Sequence, residues 1–286
     1  MRTAEIIVGV DASPESRLAL RWATAEAERR GRTLRIVHGV RSHWADSAFS
    51  PEHALLAAQR KASEILATAA ADARTWAPGI EVVTRSHLGS GAAALIAAAD
   101  AGDLVVVGSR GHSEFAALLA GSTCQQVAMH APTSVVVVRG NPDRVHGGIV
   151  AGFDGSPLAE AVLTTAFDAA EARSRPLTIL RAYRPSTPAW PADAPPPEIF
   201  NATTAQAALE ADVRSTLLPL ADKYPTVAVR VEVDGGNPVQ LLVEASRDAQ
   251  LVVVGSRGHG GFAGLLLGSV GLHLIHHADC PVLLAR

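Results

Sequence analysis

At 286 residues, 48% of them hydrophobic, the chain has room for two buried cores in domains of roughly 140 residues each. A formal net charge of −3 offers no basic face for nucleic acid or an anionic membrane surface, and no uncharged apolar run approaches the ~20 residues of a membrane span. The two cysteines make no disulfide framework and fit a reducing cytoplasm, and Met1 leads into a strand pattern without the basic head and apolar stretch of a signal peptide.

In chain order the first half reads as strand 4–10, helix 14–30, strand 33–40, helix 52–76, strand 80–86, helix 91–101, strand 104–108, helix 121–131 and strand 134–139. The strands are short Val/Ile/Leu runs with few polar interruptions, as a parallel sheet covered on both faces requires. The helices carry strong formers, such as Ala19, Leu20 and Ala23 in the first and Leu55, Leu56 and Ile65 in the second. Ser13-Pro14 is a helix N-cap followed by proline at the first helical position, and Ser156-Pro157 repeats it. Asn141 to Gly148, with Pro142 and a Gly147-Gly148 pair, reads as a linker.

Beyond the linker the pattern starts again. Val105-Val106-Val107-Gly108-Ser109-Arg110-Gly111-His112 returns as Val252-Val253-Val254-Gly255-Ser256-Arg257-Gly258-His259. Nine residues separate the second glycine of each from a Gly-Ser pair, Gly121-Ser122 and Gly268-Ser269, both at an offset of 147. Near the start of each half, Ile7-Val8-Gly9-Val10-Asp11-Ala12-Ser13-Pro14 matches Val150-Ala151-Gly152-Phe153-Asp154-Gly155-Ser156-Pro157 at an offset of 143. The four extra residues fall in the segment from Arg184 to Glu198, whose six prolines mark an extended surface loop. The chain is therefore two copies of one α/β unit, 1–140 and 147–286. Each unit is expected to form an open, mostly parallel five-stranded sheet with helices on both faces, Rossmann-like, and a ligand crevice beyond the C-terminal strand ends. The last strand of each unit, 134–139 and 281–286, is an edge that invites pairing.

The glycine spacing carries the chemistry. Gly108 and Gly255 end a buried strand, where a sharp turn calls for positive φ. Without side chains at Gly111, Gly121, Gly258 and Gly268, backbone N–H groups can approach an anion closely. Ser122 and Ser269 open helices whose first N–H groups are unpaired and whose dipole favours negative charge. Together these features point to a phosphate cradle, made twice.

With those motifs in place the sequence resembles a tandem universal stress protein of the ATP-binding kind, whose motif is Gly-x2-Gly-x9-Gly-Ser/Thr near the end of a unit of this size. The resemblance implies ATP, with or without Mg²⁺, its phosphates on the glycine motif. It places Asp11 and Asp154 at the nucleoside end, and Gly39 and Ala182 as backbone contacts to adenine. From spacing alone, the two aspartates serve equally well as caps of the adjacent loop and helix. The resemblance also implies that the two edge strands pair antiparallel about a pseudo-twofold axis within one chain.

The copies differ. Ala12 stands where the second has Gly155, Ser113-Glu114 where it has Gly260-Gly261, Ala117 where it has Gly264, and Thr123 where it has Val270. Glu114 puts a negative charge in the loop over the phosphates, so the second site is expected to hold ATP more tightly. No Walker lysine and no Gly-x-Gly-x-x-Gly dinucleotide motif is present, and no acid or base is tied by motif to an attacking water. His112 and His259 are candidate phosphate contacts. His273 and His277, with His276 and Cys280, have a spacing that can hold zinc, but the first copy lacks it. The reading is a cytoplasmic, nucleotide-dependent regulatory or stress-response protein acting through an unnamed protein partner, with a homodimer left open. Its competitors are a slow ATPase or phosphoryl- or nucleotidyl-transfer enzyme and a nucleotide-free interaction module.

Overall fold

The computed structural model describes residues 3–41, 51–110, 121–144, 146–183, 202–258 and 266–286. The first unit runs β1 (Ile6–Gly9), α1 (Pro14–Arg30), β2 (Leu34–Val40), α2 (Pro51–Trp76), β3 (Val82–Leu88), α3 (Gly91–Ala98), β4 (Leu104–Gly108), α4 (Ser122–His130) and β5 (Ser134–Val138). The second runs β6 (Ile149–Gly152), α5 (Ala159–Arg173), β7 (Leu177–Tyr183), α6 (Ala202–Lys223), β8 (Val229–Gly235), α7 (Pro238–Ala245), β9 (Leu251–Gly255), α8 (Ser269–His277) and β10 (Val282–Ala285).

The α/β class holds, but the two five-stranded sheets are one sheet of ten, in the order β3-β2-β1-β4-β5-β10-β9-β6-β7-β8. Within each unit all neighbours are parallel; β5 and β10 alone pair antiparallel among the described strands. Val136 lies opposite Leu283, its own counterpart at the 147-residue offset, so the pseudo-twofold axis passes through this pair.

Successive strand residues point to opposite faces, which assigns them to two cores. Ile6, Val8, Val106 and Val136 join Leu283 and Val253 under α1, α2, α5 and α6. Ile7, Val105, Val135 and Val137 join Val282, Leu284 and Val252 under α3, α4, α7 and α8. Each core runs across the seam, so neither unit owns one by itself. Glycines in the connection let it hug the second unit. Gly140 (φ 60°) and Gly147 (φ 100°) have no room for a Cβ against the Asp279 and Asp248 carbonyls. Asn141 N donates to Asp279 O (3.3 Å), and Arg144 reaches the Ala249 carbonyl.

On the α1/α5 face the seam carries a buried charge. Glu26, 1% exposed, receives Arg30 at 2.6 Å and Arg173 of the second unit at 2.6 Å, and also Arg29. Arg173 is itself only 6% exposed and lies over the Trp22 ring. Burial would raise the Glu26 carboxyl, but Arg173, Arg30 and Arg29 outweigh it and hold the group below its ordinary range.

The helix starts reveal one difference between the copies. Ser13 caps α1 as its sequence predicts: its Oγ accepts from Ser16 N (3.1 Å), and Ser16 Oγ donates back to Ser13 O (2.9 Å). In the second unit Ser156 is not the cap. The helix begins two residues later, with Leu158 at the N-cap and Ala159 N donating to Ser156 O (2.9 Å). Ala159 occupies the position of Ser16 and has no hydroxyl to close the same ring. Just before the first cap, Ala12 sits at φ 66°, the left-handed region that Gly155 occupies at φ 73° in the second copy. A Cβ there costs about 1 kcal/mol. Ala12→Gly is therefore expected to stabilise the protein by about 0.5–1 kcal/mol in chemical denaturation, less any unfolded-state entropy the glycine adds. An unchanged or lower midpoint would contradict the strain argument.

Candidate functional site

In each unit the strand order reverses between the first and fourth strands, β1/β4 and β6/β9. Connections then leave in opposite directions and open a crevice at the C-terminal strand ends. Both crevices are cavities, of about 390 Å³ in the first unit and 280 Å³ in the second.

The sequence-predicted residues gather there. Asp11, Gly39, Gly108, Gly121 and Ser122 line the first cavity; Asp154, Ala182, Gly255, Gly258, Gly268 and Ser269 line the second. Gly111 lies outside the described residues. So do His112, Ser113, Glu114, Ala117, His259, Gly260, Gly261, Gly264 and the proline-rich segment 184–198.

Several roles need correction. Gly108 does not adopt positive φ; it must be glycine because a Cβ would fall 2.8 Å from Glu15 O at the start of α1. Gly255 is likewise not in the left-handed region, and its Cβ would meet Arg257 O at 2.7 Å. Gly39 is excluded from carrying a side chain by α3, whose Gly91 N would lie 2.6 Å away. These three glycines are explained by close backbone approach. The N–H groups of Gly121 and Gly268 are also already engaged, donating to Ser109 O (2.8 Å) and Ser256 O (2.7 Å).

Gly121 and Gly268 are nonetheless the N-caps of α4 and α8, and no side chain caps either helix. By contrast, Ser13, Ser90 and Asn237 cap α1, α3 and α7 with side-chain oxygens. The first turns of α4 and α8 therefore reach the cavity walls without a side-chain cap, beside Ser122, Thr123 and Cys124 in the first cavity and Ser269 and Val270 in the second. A Cβ at Gly268 would come no nearer than 3.5 Å to any atom of the described residues beyond its chain neighbours, so their packing does not demand glycine there. Among the described residues, a Cβ at Gly258 would collide only with the Asp154 carboxylate, a movable side chain.

Both aspartates do the capping work that spacing alone allowed. Asp11 Oδ1 accepts from Ser13 N (3.0 Å) and Ser13 Oγ (2.5 Å), and Asp154 Oδ1 accepts from Ser156 N (2.9 Å). This fixes each carboxylate at the cavity wall.

Two other wall residues, His38 on β2 and Arg41 just after it, had no sequence signal. Arg110 and Arg257, which the repeated motif offers either as phosphate partners or as solvated loop residues, line the first and the second cavity. His38 Nδ1 is 2.7 Å from Val10 O, whereas its counterpart Arg181 turns to Asp212 (2.5 Å) and lies over Phe153. Cys124 also faces the first cavity, but burial pushes its thiol up to about 12, so it is no thiolate nucleophile near neutral pH. Among the described residues no three His, Cys, Asp or Glu side chains are grouped to hold a metal. His273 Nδ1 instead bonds Ser269 O (2.8 Å), and His276 meets Gln125 of α4 across the seam (3.4 Å).

Comparison with known proteins agrees with the repeat. The universal stress protein family model matches residues 3–139 and again 147–286. A universal stress protein of Mycolicibacterium smegmatis is 34% identical over 98% of this chain and 96% of its own length. One of Mycobacterium tuberculosis is 32% identical with the same coverage. The crystal structure of a universal stress protein from Archaeoglobus fulgidus, 19% identical, superposes with a TM-score of 0.73 over 99% of this chain and 96% of that one, a likeness of fold. The chain thus belongs to the universal stress protein family, with two of the family's domains in tandem.

Proposed function

We propose that each crevice binds ATP, and that nucleotide occupancy regulates the protein rather than feeding a metabolic reaction. The observation that carries this reading is the pair of helix starts without a side-chain cap, α4 and α8, opening onto cavities at the two strand-order reversals. Such N-termini favour phosphate through their unpaired N–H groups and the helix dipole. Arg110 and Arg257 add cationic charge at the same walls, and the first cavity's volume lies within the ~300–1,000 Å³ of small-molecule sites, the second's just below it. The apolar walls, Val37 and Leu95 in one unit and Leu180 and Leu242 in the other, suit a purine base. Mg²⁺, if it accompanies the triphosphate, would find oxygen donors in Ser122 or Ser269 and the nearby aspartate, a hard-ligand set.

The preference for the second site rests on Glu114 and its glycine counterparts. The described residues weigh the other way: the first cavity is larger and presents Arg41 with Arg110, and Thr123 beside Ser122 where the second has Val270. Glu114→Gly, followed by titration of the first site, separates the two arguments; tighter binding supports the repulsion, unchanged or weaker binding removes it.

The direct test is Gly268→Val. The fold should tolerate it within about 1 kcal/mol, because only a helix N-cap preference is lost. ATP binding at the second site should vanish in titration calorimetry, because the branched side chain fills the space phosphate oxygens need. Gly255→Val is the contrast, expected to destabilise the fold itself. Unchanged stoichiometry and affinity in Gly268→Val would overturn the proposal. Mass spectrometry of ligand released from purified protein checks it independently.

A further inference from the structure

The last strand of each unit is followed by the same residue. Arg139 follows β5 and Arg286 follows β10, at the 147-residue offset, and each reaches across the seam. Arg286 donates through Nη1 to Ala131 O and through Nη2 to Ala128 O, the last carbonyls of α4. Arg139 donates through Nη1 to Leu274 O in the last turn of α8 (3.3 Å). The helix held by Arg286 begins at Gly121-Ser122 in the first crevice. The helix held by Arg139 begins at Gly268-Ser269 in the second. Each arginine therefore anchors the far end of the helix that builds the other unit's site.

Each also stands beside its own site. Ser109 N donates to Val138 O (3.0 Å), which sets Arg110 and Arg139 one residue beyond a shared hydrogen bond; Ser256 N to Ala285 O (3.0 Å) does the same for Arg257 and Arg286. The paired guanidinium groups repel. Burial lowers the proton affinity of Arg139 most, Asp279 opposes it and Arg110 lowers it further; burial and then Arg257 lower that of Arg286. In both anchors Nε is buried without an acceptor among the described residues.

We propose that Arg139 and Arg286 are reciprocal positioning residues that couple the two nucleotide sites; the inference rests on the functional reading above. α4 and α8 have nine residues each, rods of about 13 Å, so loss of the C-terminal anchor is felt at the N-terminus. The guanidinium also offsets the negative pole of the helix, leaving the positive pole for the anion. Phosphate arriving beside Arg257 relieves its repulsion of Arg286, which then holds α4 more firmly and improves the first site. The mirrored contacts make the effect run the other way as well, as thermodynamic linkage requires.

The test reads one site at a time by titration calorimetry of the full chain with ATP. Gly268→Val leaves the first site live; Gly121→Val leaves the second. Arg286→Met added to Gly268→Val is expected to weaken the first site by about fivefold or more, the scale of ordinary site coupling. Added to Gly121→Val, it should change the second site by a smaller factor. Arg139→Met should give the mirror image. Arg286→Lys, which keeps the charge but loses the two-pronged grip, should fall between and remains readable if the methionine variant does not fold. An own-site effect as large as the cross-site effect, or no cross-site loss in either the methionine or the lysine variant, overturns the coupling while the nucleotide reading stands. Absence of ATP binding by the unmodified protein overturns both.

Discussion

A chain ending at Cys280 is expected to yield no folded monomer. The missing residues include β10, which is an edge within its own unit but lies between β5 and β9 in the whole sheet. Val282, Leu283 and Leu284 are each no more than 1% exposed and belong alternately to the two cores. Burying each contributes about 1.5–3 kcal/mol, and together they reach a large part of the ~5–15 kcal/mol that holds a typical domain. Truncation also leaves two valine-rich edges, β5 and β9, without their hydrogen-bonding partner, a template for association. Size-exclusion chromatography with light scattering should show aggregates or new oligomers. A monodisperse monomer melting within a few degrees of the full chain would mean that the seam contributes little.

Glu26→Ala should be the most damaging single polar substitution at the seam. It leaves Arg173, 6% exposed, without its counter-charge, and removing one partner of a buried pair costs about 3–5 kcal/mol. Replacing Glu26 and Arg173 together by Leu and Met should cost far less, because the packing of the stems is kept and the most deeply buried charge is removed with its partner, leaving only the more exposed Arg29 and Arg30. Equal losses in the single and double variants, measured by urea denaturation, would show that the pairing is not what matters. The pH dependence comes from the depressed carboxyl. Its stabilisation is present above the unfolded value, about 4.3, and is lost as pH falls through the lower folded value. Glu26→Gln should therefore be less stable than the parent at pH 7, and the gap should narrow steadily below about pH 4. A gap constant down to pH 2 would contradict this.

The sequence made the fold legible because its signals are local and repeated. Apolar runs bounded by Gly and Ser-Pro placed most strands and helices within two residues, and the second copy checked the first. The seam was legible in part: the last strand of each unit is an edge that invites a neighbour, and the family resemblance supplied the antiparallel sense. Errors arose where a residue's reason lies in a distant contact. Gly108 was singled out correctly and explained wrongly, because nothing near it in sequence says that Glu15 O lies against it. Ser156-Pro157 looked like Ser13-Pro14, yet the deciding atom was the hydroxyl of Ser16, absent from Ala159. His38 and Arg41 were missed because a polar residue at a strand end looks the same in sequence whether it faces a cavity or solvent. Glu26, Arg139 and Arg286 were invisible as a set, since their partners lie 147, 135 and 155–158 residues away.

The Glu26 cluster has no twin. Position 26 corresponds to Ala169 and position 173 to Arg30, so one acid faces arginines from both units where a symmetric pairing of identical units would need two. Two separate copies meeting about a twofold axis must present every contact in duplicate, and each advantageous change on one side is imposed on the other. Joining the copies through residues 141–148 removes that constraint. One half can keep the acid while the other drops it, making left and right chemically distinct and giving the assembly a fixed handedness of charge. Two identical second halves would lack the acid altogether, and two identical first halves would bring two acids to one seam; the joined chain supplies one.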